Sequence, residues 1–206
     1  MSKTIGVLAL QGAYSKHREM LAACGAQTVE VRAPQDLSGI GALVLPGGES
    51  TTMSRLLLRW ELIEPIQNLT AQGMPIFGTC AGLILLADRL AEWNALPRIG
   101  GLDLTAVRNA YGRQIESFEA GLEINIPEAA EFAEHAFNGI FIRAPKILAD
   151  SLGGNVEVLA VFEKNPVLVR QGNIIAAAFH PELSGDCRLH NWFVRGLQSG
   201  FFRGAR

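Results

Sequence analysis

The chain has 206 residues, 49% of them hydrophobic and 18% charged, with a net charge of −2. That is ample for a buried core, and charge this sparse leaves room for a surface covered by a partner. No Lys/Arg run marks a nucleic-acid face, and no apolar run approaches the roughly 20 residues of a membrane span.

Ile5-Gly6-Val7-Leu8-Ala9-Leu10 is a continuous apolar run, as in a strand buried on both faces. The opening Met1-Ser2-Lys3-Thr4 leads straight into it without the pattern of a signal peptide. Residues 13–24 read as a helix stopped by Gly25, and Thr28-Val29-Glu30-Val31 as a second strand. Ala42-Leu43-Val44-Leu45 is a third, followed by Pro46-Gly47-Gly48 and one long helix over residues 50–72. Met74-Pro75-Ile76-Phe77 is a fourth strand, with a helix over residues 81–92 behind it. This alternation predicts a parallel sheet covered on both faces, with right-handed crossovers.

The second half changes character. Leu122-Glu123-Ile124-Asn125-Ile126 alternates like a strand, and Gly139-Ile140-Phe141-Ile142 is apolar. Residues 156–162, 167–170 and 174–179 follow at short spacing, with Gln171-Gly172-Asn173 reading as a hairpin turn. An antiparallel extension of the sheet is therefore expected. A closing amphipathic helix over residues 188–198 puts Leu189, Trp192, Phe193 and Leu197 on one face. With no repeat, low-complexity tract or linker, residues 1–206 read as a single domain. Cys24, Cys80 and Cys187 form no C-x-x-C pair, which argues against a disulfide framework or zinc site and for a reducing cytoplasm.

Three segments carry chemistry. Gly78-Thr79-Cys80-Ala81-Gly82 lies between a strand and a helix, the arrangement of a nucleophile elbow with a thiol at its tip. The following helix N-terminus would favour the reactive thiolate. The alternative is a buried structural cysteine, the reading also given to Cys24 and Cys187. His180-Pro181-Glu182 follows a buried strand, so the carboxylate can fix one ring nitrogen while the other takes a proton from a thiol. Alone it would read as a surface turn. Pro46-Gly47-Gly48-Glu49-Ser50-Thr51-Thr52 also follows a buried strand. Its glycines can aim N–H groups at a developing oxyanion, where loss of one donor typically costs about 3 kcal/mol. A Ser/Thr helix cap or a phosphate cradle are the alternatives, although no Lys occupies the Walker position. His17, His135 and His190 lie in helical or polar stretches and read as solvated. Residues 127–138, acidic and Ala-rich, read as a loop with a short helical turn.

Together the PGGEST, GTCAG and HPE segments resemble the class I (triad) glutamine amidotransferases. The segments at residues 10–13 (LQGA), 46–52, 77–83, 108–109, 111–114 (YGRQ), 117–119 (SFE), 141–145 (FIRAP) and 179–183 are similar to the glutaminase subunits of pyridoxal 5′-phosphate synthase. The resemblance implies an α/β, three-layer flavodoxin-like fold, mostly parallel with an antiparallel extension. It implies hydrolysis of L-glutamine to glutamate and ammonia through a thioester, with no metal or organic cofactor. Cys80 would be the nucleophile, His180 the base and Glu182 its orienting partner. Gly47, Gly48 and Ala81 would form the oxyanion hole, and Gly48, Glu49, Ser50, Arg108, Ile142 and Arg143 would contact glutamine. Ammonia would pass to a (β/α)₈-barrel synthase subunit, with Gln11 near that interface. Docking is expected to reorient the Gly47–Gly48 peptide, leaving the free subunit nearly inactive. A glutaminase of another pathway and a non-catalytic binding module are the rival readings; LQGA with FIRAP weighs against the first and the filled triad against the second.

Overall fold

The computed structural model describes residues 4–92, 95–108 and 117–202. Strand β1 (Thr4–Leu8), helix α1 (Tyr14–Ala23) and strand β2 (Thr28–Val31) open the chain. Strand β3 (Ile40–Leu45) leads to α2 (Ser50–Arg59) and α3 (Ile63–Ala71), and β4 (Ile76–Thr79) to the short α4 (Ala81–Leu86). Five short strands follow: β5 (Ala87–Leu90), β6 (Leu102–Val107), β7 (Ser117–Leu122), β8 (Phe137–Ile142) and β9 (Lys146–Ile147). The chain closes with β10 (Glu157–Phe162), β11 (Asn165–Gln171), β12 (Ile174–Ala177) and α5 (Arg188–Ser199).

Seven strands form the central sheet in the order β10-β11-β12-β4-β3-β1-β2. From β12 to β2 every pairing is parallel, while β10 and β11 add the antiparallel extension. Ala42 to Leu45 and Ile174 to Ala177 are buried throughout, which explains why these strands are apolar without alternation. The connection from β1 to β2 and that from β3 to β4 run in opposite directions along the sheet. Right-handed crossovers then place α1 and the α2–α3 pair on opposite faces. The reversal between β1 and β3 opens a crevice at their carboxyl ends, where open α/β sheets bind ligands. The Gln171–Asn173 turn joins β11 to β12 as a hairpin, with Gln171 opposite Ile174.

Three sequence expectations are corrected. Residues 50–72 form two helices, because Leu57 and Leu62 are both fully buried and a five-residue step would turn them to different faces of one helix. Glu61 adopts φ 53°, and the Leu62 amide folds back onto the Leu57 carbonyl at 2.9 Å. The helix after Cys80 ends at Leu86 and continues as β5, not to residue 92. Arg98 donates to the Ala87 and Asp88 carbonyls at 3.0 and 2.8 Å, and β5 pairs with β6, so tertiary partners override helix propensity there. Leu122 ends β7, and Ile124 makes only an isolated bridge with Ala160. Within residues 127–138 the short helical turn is Ala130–Phe132, with Phe132 buried.

Candidate active site

Cys80 sits where β4 breaks into α4, with φ 49° and ψ −98°. Such a conformation in a non-glycine residue costs about 1–3 kcal/mol and persists only where its surroundings enforce it. Here the Cys80 amide donates to the Ala177 carbonyl at 2.8 Å, extending the β4–β12 ladder to the tip of the turn. A Cβ on Gly82 would lie 2.2 Å from the Leu45 carbonyl oxygen, and one on Gly78 2.6 Å from a Leu86 methyl, so only glycines let this turn close.

On the neighbouring strand β12, the chain emerges through Ala178 and Phe179 to His180. The His180 amide donates to the Ile140 carbonyl at 2.8 Å, which ties this loop to β8. Phe179 packs against Phe137 and Phe141 beneath it. His180 Nδ1 lies 2.7 Å from Glu182 Oε1, and the imidazole and the Cys80 thiol line the same cleft, close enough to interact electrostatically. Burial alone would lower the His180 pKa, but its interactions with Cys80 and Glu182 outweigh that and raise it to about 10. Burial pushes Glu182 the other way, yet His17 and His180 hold it below the ordinary carboxylate range. The Cys80 sulfur also points at the Ile142 carbonyl, 3.9 Å away. The three segments therefore meet at one cleft.

These groups open into a cleft of about 370 Å³ at the crevice end of the sheet. Gln11, Gly47, Gly48, Glu49, Ser50, Arg108, Ile142 and Arg143 line it together with Cys80 and His180. Ala81 is buried at the start of α4 and Glu182 stands behind His180, so neither forms the wall. A larger cleft of about 890 Å³ lies at the opposite, amino-terminal ends of β4 and β12, but no titratable side chain lines it. Among the described residues no group of three or more His, Cys, Asp or Glu is placed to hold a metal ion. Asn109 and the Tyr111-Gly112-Arg113-Gln114 segment lie outside the described residues.

The glycine turn is held from two sides. The Gly47 carbonyl accepts from the Ala13 amide at 2.9 Å, and the Glu49 amide donates to Gln11 Oε1 at 2.8 Å. A Cβ on Gly47 would meet His180 Cε1 at 2.2 Å, so the turn lies directly on the imidazole. The α2 cap differs from the Ser/Thr cap considered from sequence. Glu49 itself folds back, accepting from the Thr51 and Thr52 amides at 3.0 and 2.7 Å and from the Thr52 hydroxyl. Burial pushes the Glu49 carboxyl up, but these donors bring its pKa down to about 2. Its carboxylate is thus committed to the helix, and its backbone carries its link to Gln11. Arg108 reaches the same turn, donating to Thr51 Oγ1 at 2.9 Å. Arg143, at φ 43°, is exposed on the opposite wall.

With this geometry in hand, comparison with known proteins is decisive at the level of family. Residues 7–199 match the SNO glutamine amidotransferase family. The chain belongs to that family. A curated relative, the pyridoxal 5′-phosphate synthase subunit PdxT of Pelotomaculum thermopropionicum, is 53% identical over 92% of this chain and 93% of its own. Its counterpart in Herpetosiphon aurantiacus is 48% identical over 93% and 98%. A crystal structure of a glutamine amidotransferase superposes with a TM-score of 0.86 at 44% identity, covering 94% of this chain and 98% of that one.

The SNO-family chain also buries residues that sequence reading missed. His17 and His190, expected in solvent, have 0% exposure and meet behind Glu182. The signal was present but weak. His17 lies four residues before the buried Leu21, and His190 lies between Leu189 and Phe193 on the apolar stripe of α5. His135 is exposed, as expected. Among the described residues no helix is long and apolar enough to cross a membrane.

Proposed function

We propose that this chain, acting as one domain in the cytoplasm, hydrolyses L-glutamine and delivers the ammonia to a (β/α)₈-barrel synthase subunit that makes pyridoxal 5′-phosphate. The observation that carries this reading is that Cys80 and His180 share the wall of one small cleft, with Glu182 bonded to His180 from behind. Nδ1 of His180 is engaged by Glu182, so Nε2 is the nitrogen left for the thiol proton. The Cys80 sulfur attacks the side-chain amide carbon of glutamine, and its proton passes to His180. The tetrahedral oxyanion is met by backbone N–H groups of the Gly47–Gly48 turn and Ala81. His180 returns the proton to the amide nitrogen, ammonia leaves, and a glutamyl thioester remains. Water, losing a proton to His180, attacks the thioester; the proton returns to the sulfur and glutamate departs.

Arg108 and Arg143 supply the cationic wall for the α-carboxylate of glutamine, with Ile142, Gly48, Glu49 and Ser50 completing its contacts. Gln11 stands between the glycine turn and the synthase-facing surface. Reorienting the Gly47–Gly48 peptide breaks the Ala13–Gly47 hydrogen bond, a net change of about 0.5–1.5 kcal/mol that docking can supply. Ammonia release is measured with and without the purified synthase subunit, for the natural chain and Cys80→Ala. Activity appears only with the partner and is lost in the variant; full turnover by the free chain refutes the docking step, and turnover by Cys80→Ala refutes the nucleophile.

A further inference from the structure

Glu182 has a second carboxylate oxygen. Oε1 is held by His180, while Oε2 is buried and no hydrogen bond satisfies it. Leaving a buried carboxylate oxygen without a donor is expensive, and native structures rarely do so. The side-chain nitrogen poised at it belongs to His17 on α1, whose Nε2 lies 3.3 Å from Oε2 and 3.0 Å from Thr79 Oγ1. On the other edge of the ring, His17 Nδ1 lies 3.0 Å from His190 Nε2 on α5.

The chemistry of the pair selects one arrangement of protons. Burial lowers both imidazoles below their ordinary pKa, His190 to about 3, so both are neutral near pH 7. What His17 offers Glu182 is therefore an N–H dipole and not a cation. If His17 donated to His190, its Nε2 lone pair would face the carboxylate, and His190 would bury an N–H on Nδ1 with no partner. In the opposite arrangement His190 donates to His17, and His17 donates its Nε2–H to Thr79 Oγ1 with the positive end of that N–H dipole beside Glu182 Oε2, 3.3 Å from Nε2. Only an unpaired acceptor on His190 Nδ1 is then left over, the smaller defect.

We infer that His17 is a positioning residue: its Nε2–H dipole, oriented by His190 and Thr79, stabilises Oε2 of Glu182 so that Oε1 stays aimed at His180. The inference rests on the glutaminase reading above. It adds a buried chain, His190 to His17 to Glu182, behind the groups that touch substrate. Partners that orient metal-ligating side chains from behind are typically worth about 10–100-fold in activity, and an effect of the same order is expected here.

The test compares His17→Leu, which removes the donor, with His17→Gln, which returns an amide N–H near the position of Nε2. In the complex with the synthase subunit, His17→Leu lowers kcat at least about 10-fold with little change in KM, and His17→Gln recovers most of the loss. The free proteins supply a readout independent of turnover, the downfield proton resonance of the His180–Glu182 hydrogen bond. It shifts or broadens in His17→Leu and persists in His17→Gln. Unchanged kcat in His17→Leu, or equal losses in both variants with that resonance unmoved, overturns the inference. If His17→Leu does not fold, His17→Asn replaces it, since its amide reaches toward His190 and not Glu182; Asn matching or exceeding Gln overturns the inference. A natural chain with no turnover in the complex sinks the glutaminase reading instead, and the resonance still decides the role of His17.

Discussion

Gly47→Ala puts one methyl group against the imidazole of His180. Gly47 is not among the glycines with positive φ, so alanine meets no backbone strain there and the effect is purely steric. The added carbon would lie 2.2 Å from Cε1 and 2.7 Å from Nδ1 of His180. Restoring an ordinary contact of 3.4 Å requires about 1.2 Å of movement between turn and ring, in a packed site that relaxes poorly. The ring cannot retreat freely, because Glu182 holds Nδ1 at 2.7 Å and the His180 amide is tied to Ile140. A misplacement of about 1 Å costs on the order of 100-fold in rate. We therefore expect kcat for glutamine hydrolysis in the complex to fall about 100-fold, with a smaller change in KM. Gly154→Ala is the control, since its added carbon meets nothing within 4 Å. Steady-state ammonia release from both variants with saturating synthase subunit is the assay. Gly47→Ala turning over within about threefold of the natural chain would refute the claim that this turn sets the imidazole position.

Two further outcomes follow from the buried and cationic groups. His190, facing His17, Glu182 and the Phe77 ring, has a folded pKa near 3 against 6.5 when unfolded, so stability falls as pH drops below 6.5. By pH 5 this group alone removes about 2 kcal/mol, and His17 acts in the same direction. His180, raised to about 10, contributes fully below 6.5, and depressed Glu182 is lost only on further acidification below 4.5, so neither masks that window. Urea unfolding at pH 6, 5.5 and 5, where His180 no longer offsets the trend, measures the slope; a flat profile, or an unchanged slope in His190→Phe, contradicts it. Arg108→Ala removes a charge-assisted contact worth about 1.5–3 kcal/mol, so KM for glutamine rises at least about 10-fold while kcat holds. A KM unchanged in steady-state assays excludes Arg108 from carboxylate binding.

The three loops of the site were legible because each follows a strand buried on both faces, whose apolar run announces itself in the sequence. The register between β4 and β12 then brings Cys80 and His180 together, and parallel pairing needs no further signal. Other features depend on contacts far apart in the chain. The burial of His17 comes from packing α1 against α5, with His17 and His190 173 positions apart in the chain. Local sequence gives only the weak hint of its four-residue spacing from Leu21. The end of α4 is decided by Arg98, whose guanidinium claims carbonyls that helix propensity would have used. The Glu49 cap was hidden by its neighbours, since Ser50 and Thr51 are better known for that role. Leu62 breaks the long helix through the spacing of its burial from Leu57, a pattern visible only once the core is known.

The ladder that carries the Cys80 amide onto Ala177 also separates the reactive pair from everything spelled between them. Nearly one hundred residues intervene, yet their ends are pinned side by side by backbone bonds. Away from Phe137, Ile140 and Phe141, which brace the His180 loop, and from the cleft residues Arg108, Ile142 and Arg143, length and composition in that stretch can therefore drift without retuning sulfur against imidazole. The scaffold divides its labour: one rim is fixed by the zip of two neighbouring strands, and the excursion between them is left open to specialisation.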